Sequence, residues 1–465
     1  ISLFALGANP FHGDWFFPAE RHGAGNGMTV VDDFAVFFKV VIAAAGVLVS
    51  LFSIFSRELD TEGRPRLGEY YTLLIGMTVG LFLMASANDL LLAYLAIEIA
   101  SLSSYAIVGV TKGIERSGEA SMKYVIYGGV ASGAMLFGIS LMYGLIGTTN
   151  FMEIAGVLGA RNVSSIPAAP FVLSSVMILA GIGYKLSAVP FHAWTPDVYE
   201  GGPITMTAYL SVASKAGAFA LLARLVVTAY PQLNGFDWGV VLGWVAVATM
   251  TIGNLAALGQ SNLKRLLAYS SIAHAGYMIA GVALGTRYGV AAMMIYMGIY
   301  LVMNLGAFFA VQIMSEQVGS EELEDYKGLG PSMPAVGVVV GILMMALVGI
   351  PPTGGFAAKF FLFVAIIDGP RDYLWLAVAV AVNSVIALYY YLRVLKVMYL
   401  DKPSVETIKP HFGIVPRLIL FSLGGITLVS GLPNVFGPLF ESAQGSLGTL
   451  IVGLREGAAK AFLGP

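Results

Sequence analysis

The stretch GIGYKLSAVPFHAWTPDVYEGGP, residues 181–203, ends a long apolar run with a lysine, Lys185, and five residues later a proline, Pro190. A segment with the composition of a lipid-embedded helix does not ordinarily carry a charge beside a helix breaker. Pro190 has no N–H and cannot bond the carbonyl four residues back, that of Leu186. A broken helix at membrane depth is tolerated only where protein buries it or where it lines a water-filled cavity. Lys185 is therefore expected one residue from an unpaired carbonyl, in an interruption that admits water. His192, Thr195 and Asp197 add polar groups in the same turn region.

The composition around this stretch fixes the class. Of 465 residues, 57% are apolar and only 11% are charged, and the mean hydropathy is +0.81. Soluble globular chains carry roughly 25% charged residues, so this one reads as an all-α integral membrane protein. A net charge of −2 gives no sign of nucleic-acid binding. The absence of cysteine removes disulfides, iron–sulfur clusters and thiolate metal sites from this chain. Five scattered histidines do not make a metal or haem centre. No glycine-rich nucleotide fingerprint follows a strand pattern. The first residue is Ile1, and ISLFALG lacks the basic start of a signal peptide. It reads as the tail of an earlier apolar helix, with upstream helices missing.

A spanning helix needs about 20 mainly apolar residues. Twelve segments qualify: 31–56, 69–87, 89–110, 121–146, 168–189, 204–229, 237–258, 263–284, 289–315, 334–366, 373–400 and 414–436. Lysine and arginine crowd one set of loops, with Arg57, Arg116, Lys123, Lys264, Arg265, Arg393 and Lys396 among them. The other set has Arg21, Arg161, Arg287, Arg371, Arg455 and Lys460. The richer face is expected to be cytoplasmic. Lys39, Lys185, Lys215, Arg224 and Lys359 remain within apolar segments, and Lys39 and Arg224 are expected to snorkel toward a surface.

An ionisable side chain at membrane depth costs at least ~2.5–3.5 kcal/mol and by default marks an ion pathway. Lys185, Lys215 and Lys359 fall in three different segments, Glu98 in a fourth and His274 in a fifth. Each also has a plain structural reading: a lysine can pair with helix-end carbonyls, a histidine can pack, and a glutamate can sit in a static salt bridge. The five together are harder to explain as packing. A lysine and a carboxylate ~4 Å apart interact by about 4 kcal/mol at an effective dielectric of 20. Forming or breaking a Glu98–Lys185 pair could then switch whether the lysine holds a proton. Ser101, Ser103, Ser104, Ser211, Ser214, Ser270, Ser271 and Tyr277 could support intervening waters, though ordinary interhelical bonding explains any one of them equally well.

The break recurs in LMMALVGIPPTGGFAAKFFLF, residues 343–363, where Pro351 and Pro352 free the carbonyls of Leu347 and Val348 and Lys359 follows. The two broken segments are fifth and tenth in order, five apart. Because five is odd, corresponding helices run in opposite directions, as in an inverted repeat of a secondary transporter. The expected organisation is an N-terminal segment 1–68, a first five-helix repeat 69–229, a second, inverted repeat 237–400 and a C-terminal helix and tail 401–465.

GYKLSAVPFHAWTPDVYEGGP followed by SVASKAG resembles the antiporter-like subunit N of proton-pumping NADH:quinone oxidoreductase, respiratory complex I, and its thylakoid relative. So do NLAALGQSNLKRLLAYSSIAHAGY at 254–277, GIPPTGGFAAKFF at 349–361 and ALYYYLRVLKVMYL at 387–400. The likeness runs in order from about residue 31 to residue 400. It implies that Glu98 is the family's glutamate paired with the first channel lysine, that Lys185 is that lysine, and that Lys215 is the linking lysine. It further implies that His274 lies between the half-channels and that Lys359 is the terminal lysine. The resemblance implies a proton-translocating subunit with no cofactor of its own. The parent complex would carry FMN, iron–sulfur clusters and quinone. Other membrane-arm subunits and the lipid bilayer would be its partners, and a bacterial cytoplasmic membrane or, alternatively, a thylakoid membrane its location. Family members usually have fourteen helices against the twelve found here. The other readings are a subunit of a multisubunit Na+/H+ antiporter and a scaffold that moves no proton.

Overall fold

The computed structural model describes residues 27–59, 67–111, 114–160, 167–230, 237–402 and 413–432. ISLFALG, Arg21, Lys112, Arg161, Arg455, Lys460 and residues 433–436 of the last expected span lie outside the described residues.

Each expected span contains helix among the described residues, but 334–366 is two helices of 15 and 14 residues and 414–436 holds one of 16. Among the described residues, ten helices are long and apolar enough to cross a membrane. We label the elements α1 (Asp33–Ile54), α2 (Leu67–Ser86), α3 (Leu90–Val108), α4 (Glu115–Ile146), α5 (Phe151–Ala160), α6 (Ala168–Leu186), α7 (Trp194–Gly201), α8 (Ile204–Ala229), α9 (Trp238–Leu258), α10 (Leu263–Ala283), α11 (Arg287–Val318), α12 (Pro334–Val348), α13 (Gly354–Ile367), α14 (Leu374–Tyr399) and α15 (Ile414–Val429). The short helices α5 and α7 are additions to the sequence expectation; neither is long enough to give a spanning signal. The chain is a polytopic, all-helical membrane protein.

Helix starts are set by side chains that satisfy orphan N–H groups. Asp32 accepts from Ala35, Asp89 from Leu91, Asn262 from Arg265 and Thr286 from Gly289. Close packing is set by small residues. A Cβ at Gly253 would lie 2.7 Å from the Ala273 nitrogen, and one at Gly276 would lie 2.5 Å from the Met250 nitrogen. These glycines therefore let α9 and α10 lie backbone to backbone. Both expected breaks are present. The first separates α6 from α7 at residues 187–193, and the second separates α12 from α13 at residues 349–353.

The chain forms two compact units, residues 1–285 and 286–465. In the first, α8 and α10 are buried over 94% of their apolar windows, which makes them its central helices. Lipid can reach the outer faces of α1, α2 and α4, where Val47, Ile75 and Val130 are exposed. In the second unit, α11 packs against α12, α13 and α15.

Candidate functional site

The first break is closed by hydrogen bonds the sequence did not foretell. Ser187 takes a left-handed conformation (φ 59°), so that its own N–H reaches Tyr184 O at 3.1 Å and Ala188 N–H reaches Gly183 O at 2.8 Å. These two bonds cap α6. Farther along, Val189 N–H donates to Thr249 Oγ1 at 3.0 Å, and Trp194 Nε1 donates to Tyr184 O at 3.0 Å. Pro190 does release the Leu186 carbonyl, but that carbonyl is not left unpaired. Lys215, fully buried in α8, donates to it at 2.8 Å and to Ser187 Oγ at 3.0 Å. An ammonium with three donors is suited to this task, and a charged hydrogen bond is worth about 1.5–3 kcal/mol. Lys215 directly follows a π-helical segment, Leu210–Ser214. Such bulges are frequent at functional sites.

Lys185, the residue before Leu186, is 1% exposed, and its Nζ has no hydrogen-bond partner among the described residues. The Nζ lies 5.6 Å from the centroid of the Tyr124 ring, a desolvated cation–π contact of about 2 kcal/mol. Tyr124 stacks on Trp194 (centroids 4.5 Å apart) and meets Tyr105 edge-on at 4.6 Å. The pocket of Lys185 is thus aromatic on one side. Glu98 acts on Lys185 electrostatically but does not touch it. The Glu98 Oε1 is buried and also without a partner. The expected Glu98–Lys185 ion pair is not closed in this conformation, because Lys185 is turned against the tyrosine ring.

His274 is buried in α10, with its ring edge-on to Tyr277 at 5.8 Å. Tyr277 Oη in turn receives the Asn254 amide at 3.1 Å. Of the serines considered as water supports, Ser101, Ser104 and Ser211 donate to carbonyls of their own helices, as hydroxyls in apolar helices commonly do.

Asp197 stands apart from the lysines. It holds Lys123 at 2.8 Å and Arg265 at 2.8 Å, and these pair in turn with Glu119 and Glu200, each at 2.7 Å. Burial pushes the Asp197 carboxyl up, but the hydrogen-bonded Lys123 and Arg265 outweigh it and hold the group below the usual carboxylate range. The cluster lines a polar cavity of about 180 Å³ with Arg116, Ala120 and Gly201. A separate cavity of about 250 Å³ beside Pro190 and Phe191 is lined by apolar residues such as Leu179, Leu186 and Val245. His192, two residues after Pro190, is half-buried.

Arg224 does not snorkel as expected. It is 5% exposed and forms a bidentate pair with Asp32, at 2.8 and 2.9 Å, above the Phe34 ring. Asp32 is also the N-cap of α1. Asp32 lies at the edge of the first span, 192 residues from Arg224.

Lys359 belongs to the second unit and repeats the arrangement of Lys215 at that unit's own break. Gly349 turns the chain with φ 89°, and a Cβ there would press on Lys359 Cδ at 2.9 Å. Lys359, buried at 6% exposure, donates to Val348 O at 2.7 Å. Val348 lies four residues before Pro352, as Leu186 lies four before Pro190. In both units, therefore, a buried lysine donates to the carbonyl a proline has orphaned.

Residues 87–387 match the family model described as NADH:quinone oxidoreductase/Mrp antiporter, TM. NADH-quinone oxidoreductase subunit N of Anaeromyxobacter sp. (strain Fw109-5) is 46% identical over 414 residues, covering 84% of this chain and 79% of that protein. A chain in the structure of respiratory complex I from Thermus thermophilus with bound aureothin superposes with a TM-score of 0.72 at 30% identity, covering 88% of this chain and 86% of that one. A chain of the membrane-bound sulfane sulfur reductase, an archaeal respiratory membrane complex, superposes with a TM-score of 0.80 at 27% identity, covering 93% of this chain and 85% of its own.

Proposed function

The chain belongs to the NADH:quinone oxidoreductase/Mrp antiporter transmembrane family, as a relative of the subunit N proteins, and from that premise we propose that it is a proton-translocating membrane-arm subunit of an NADH:quinone oxidoreductase. The proton moves through Glu98, Lys185, Lys215, His274 and Lys359. Pro190, Pro351 and Pro352 open the helices, and His192 and Asp197 support the first break. The parent complex carries FMN, iron–sulfur clusters and quinone on other subunits, sits in a bacterial cytoplasmic membrane, and moves these charges when quinone is reduced. The two repeats are 69–229 and 237–400, inverted with respect to each other.

One observation carries the reading. Three buried lysines lie at two proline breaks, and two of them donate to the freed carbonyls. A lysine held this way is anchored whether or not it is charged, since a neutral amine still donates. It can therefore give up and regain a proton without leaving its place. Lys185 is the mobile member. It has the Tyr124 face as one partner and Glu98 as another within electrostatic reach. Moving between them changes the charge felt at Lys215, whose contact is the carbonyl of the next residue.

The test uses the assembled complex in proteoliposomes. Lys185→Ala and Glu98→Ala are each expected to lower both coupled electron transfer and proton pumping. Native rates in a fully assembled complex would overturn the proposal. The family description also names Mrp antiporters. That reading would be favoured by co-purification with antiporter partners alone and no NADH-dependent quinone reduction. A pure scaffold would tolerate Lys215→Ala with no loss of protons pumped per electron.

A further inference from the structure

Ser187 is the one residue other than glycine with a positive φ among the described residues, and its hydroxyl is the meeting point of two fully buried donors. Thr195 Oγ1 donates to Ser187 Oγ at 2.7 Å, and Lys215 Nζ donates to the same oxygen at 3.0 Å. Ser187, Thr195 and Lys215 are each 0% exposed. Nothing about capping the break requires this convergence. The cap of α6 is made by the backbone N–H groups of Ser187 and Ala188, and the Leu186 carbonyl is satisfied by Lys215 alone. The hydroxyl satisfies two buried donors and in doing so also joins Lys215 to α7. The link runs from Lys215 to Thr195 in the first turn of α7.

We infer that Thr195 and Ser187 form a two-hydroxyl wire through which Lys215 is reprotonated from the α7 side. This rests on the proposed relay role of Lys215. In the arrangement described, Lys215 is a donor and Ser187 accepts twice, so no proton moves. Once the ammonium has passed its proton on, the nitrogen has a lone pair, and the 3.0 Å contact reverses. Ser187 then gives its hydroxyl proton to Lys215 Nζ, Thr195 gives its own to Ser187 Oγ, and a hydronium ion on the α7 side replaces the proton of Thr195 and is left as water. Each oxygen ends with one hydrogen, the lysine regains its charge, and the net change is one proton carried inward to Lys215. The backbone fits the task. The left-handed turn at Ser187 keeps its Oγ between α7 and α8, where a helical conformation would have carried the side chain onward with α6.

The experiment compares Thr195→Val, Thr195→Ser and Ser187→Gly with Lys215→Ala, all in the intact complex in proteoliposomes, with assembly verified on native gels. Glycine suits φ 59°, so Ser187→Gly removes the hydroxyl without straining the turn. Thr195→Val and Ser187→Gly are expected to slow proton pumping at least tenfold, and Thr195→Ser to restore at least half of it. Native pumping in Thr195→Val overturns the wire, and so does equal loss in Val and Ser variants, which would mark Thr195 as a packing residue. If Thr195→Val fails to assemble, Ser187→Gly decides alone: native pumping refutes the wire, and a tenfold loss supports it. Native pumping in Lys215→Ala would overturn the relay reading itself, and the wire with it. A loss in Lys215→Ala without one in the hydroxyl variants would overturn only the wire.

Discussion

Replacing Lys215 with arginine separates two jobs that one ammonium performs. The first is structural: Lys215 satisfies Leu186 O at 2.8 Å and Ser187 Oγ at 3.0 Å, charged hydrogen bonds of about 1.5–3 kcal/mol each. A guanidinium has five donors and keeps the charge, so it can serve both acceptors. The second is chemical: the relay needs the group to lose its proton. A guanidinium is intrinsically about 2–3 pKa units more basic than an ammonium, or about 3–4 kcal/mol. In the same pocket, the neutral form would be populated roughly 10²- to 10³-fold less. Lys215→Arg is therefore expected to assemble and to melt near the native temperature, while pumping falls by about two orders of magnitude. Lys215→Met makes the complementary case. It orphans the Leu186 carbonyl at about 1–3 kcal/mol but also removes a buried charge that costs at least ~2.5–3.5 kcal/mol to place. The opposing terms are of similar size, so stability should change little while pumping is lost. The assay is proton uptake by proteoliposomes on NADH addition, read beside thermal unfolding of the same preparation. An assembled Lys215→Arg complex that pumps at the native rate would refute the reasoning, because a group that stays charged could not have passed the proton.

Other consequences of the structure can be measured separately. Arg224→Met leaves the Asp32 carboxylate buried and unpaired, and should destabilise the protein by about 3–5 kcal/mol. Arg224→Met combined with Asp32→Asn should recover part of that loss in thermal unfolding. The Asp197 carboxyl is held below its ordinary range, so its contribution to stability is present above the unfolded value of about 3.9 and is lost as pH falls through the lower folded value. Melting temperature should accordingly fall in acid less steeply for Asp197→Asn than for the native chain. A Cβ at Gly355 would overlap the Ala346 carbonyl oxygen, whereas one at Gly341 meets nothing. Gly355→Ala should therefore impair assembly, and Gly341→Ala, in a helix interior, should stabilise by up to about 1 kcal/mol. Comparative yields on native gels and melting curves would show whether the two glycines differ in this way.

The helices were legible in the sequence because apolar length and prolines are local signals. Both breaks fell where Pro190 and Pro351–Pro352 required them, and α6 ends at Leu186, four residues before its proline. The lysines were legible as residues out of place in apolar segments. Their partners were not, because hydrogen bonds between separate helices leave no local trace. Lys215 reaches back 29 residues to Leu186, and Arg224 reaches 192 residues to Asp32. The expected orphan carbonyl therefore turned out to be satisfied, and the expected snorkelling arginine to be paired inside. Tyr124 and Ser187 are not legible in the sequence for a related reason. An aromatic ring or a serine in an apolar helix has many ordinary explanations, and only the approach of a lysine nitrogen distinguishes these two. Asp197 is legible as a polar residue of the first break's turn region, but its partners Lys123 and Arg265, 74 and 68 residues away, are not.

The claim beneath all of this is that protons pass through the buried amines of this chain. Counting protons moved per NADH oxidised, in proteoliposomes of the assembled complex carrying Lys185→Ala, Lys215→Ala and Lys359→Ala together, tests it most directly. The account predicts a fall in that ratio, accompanied by slower coupled electron transfer. An assembled triple variant that retained the native ratio and rate would contradict it.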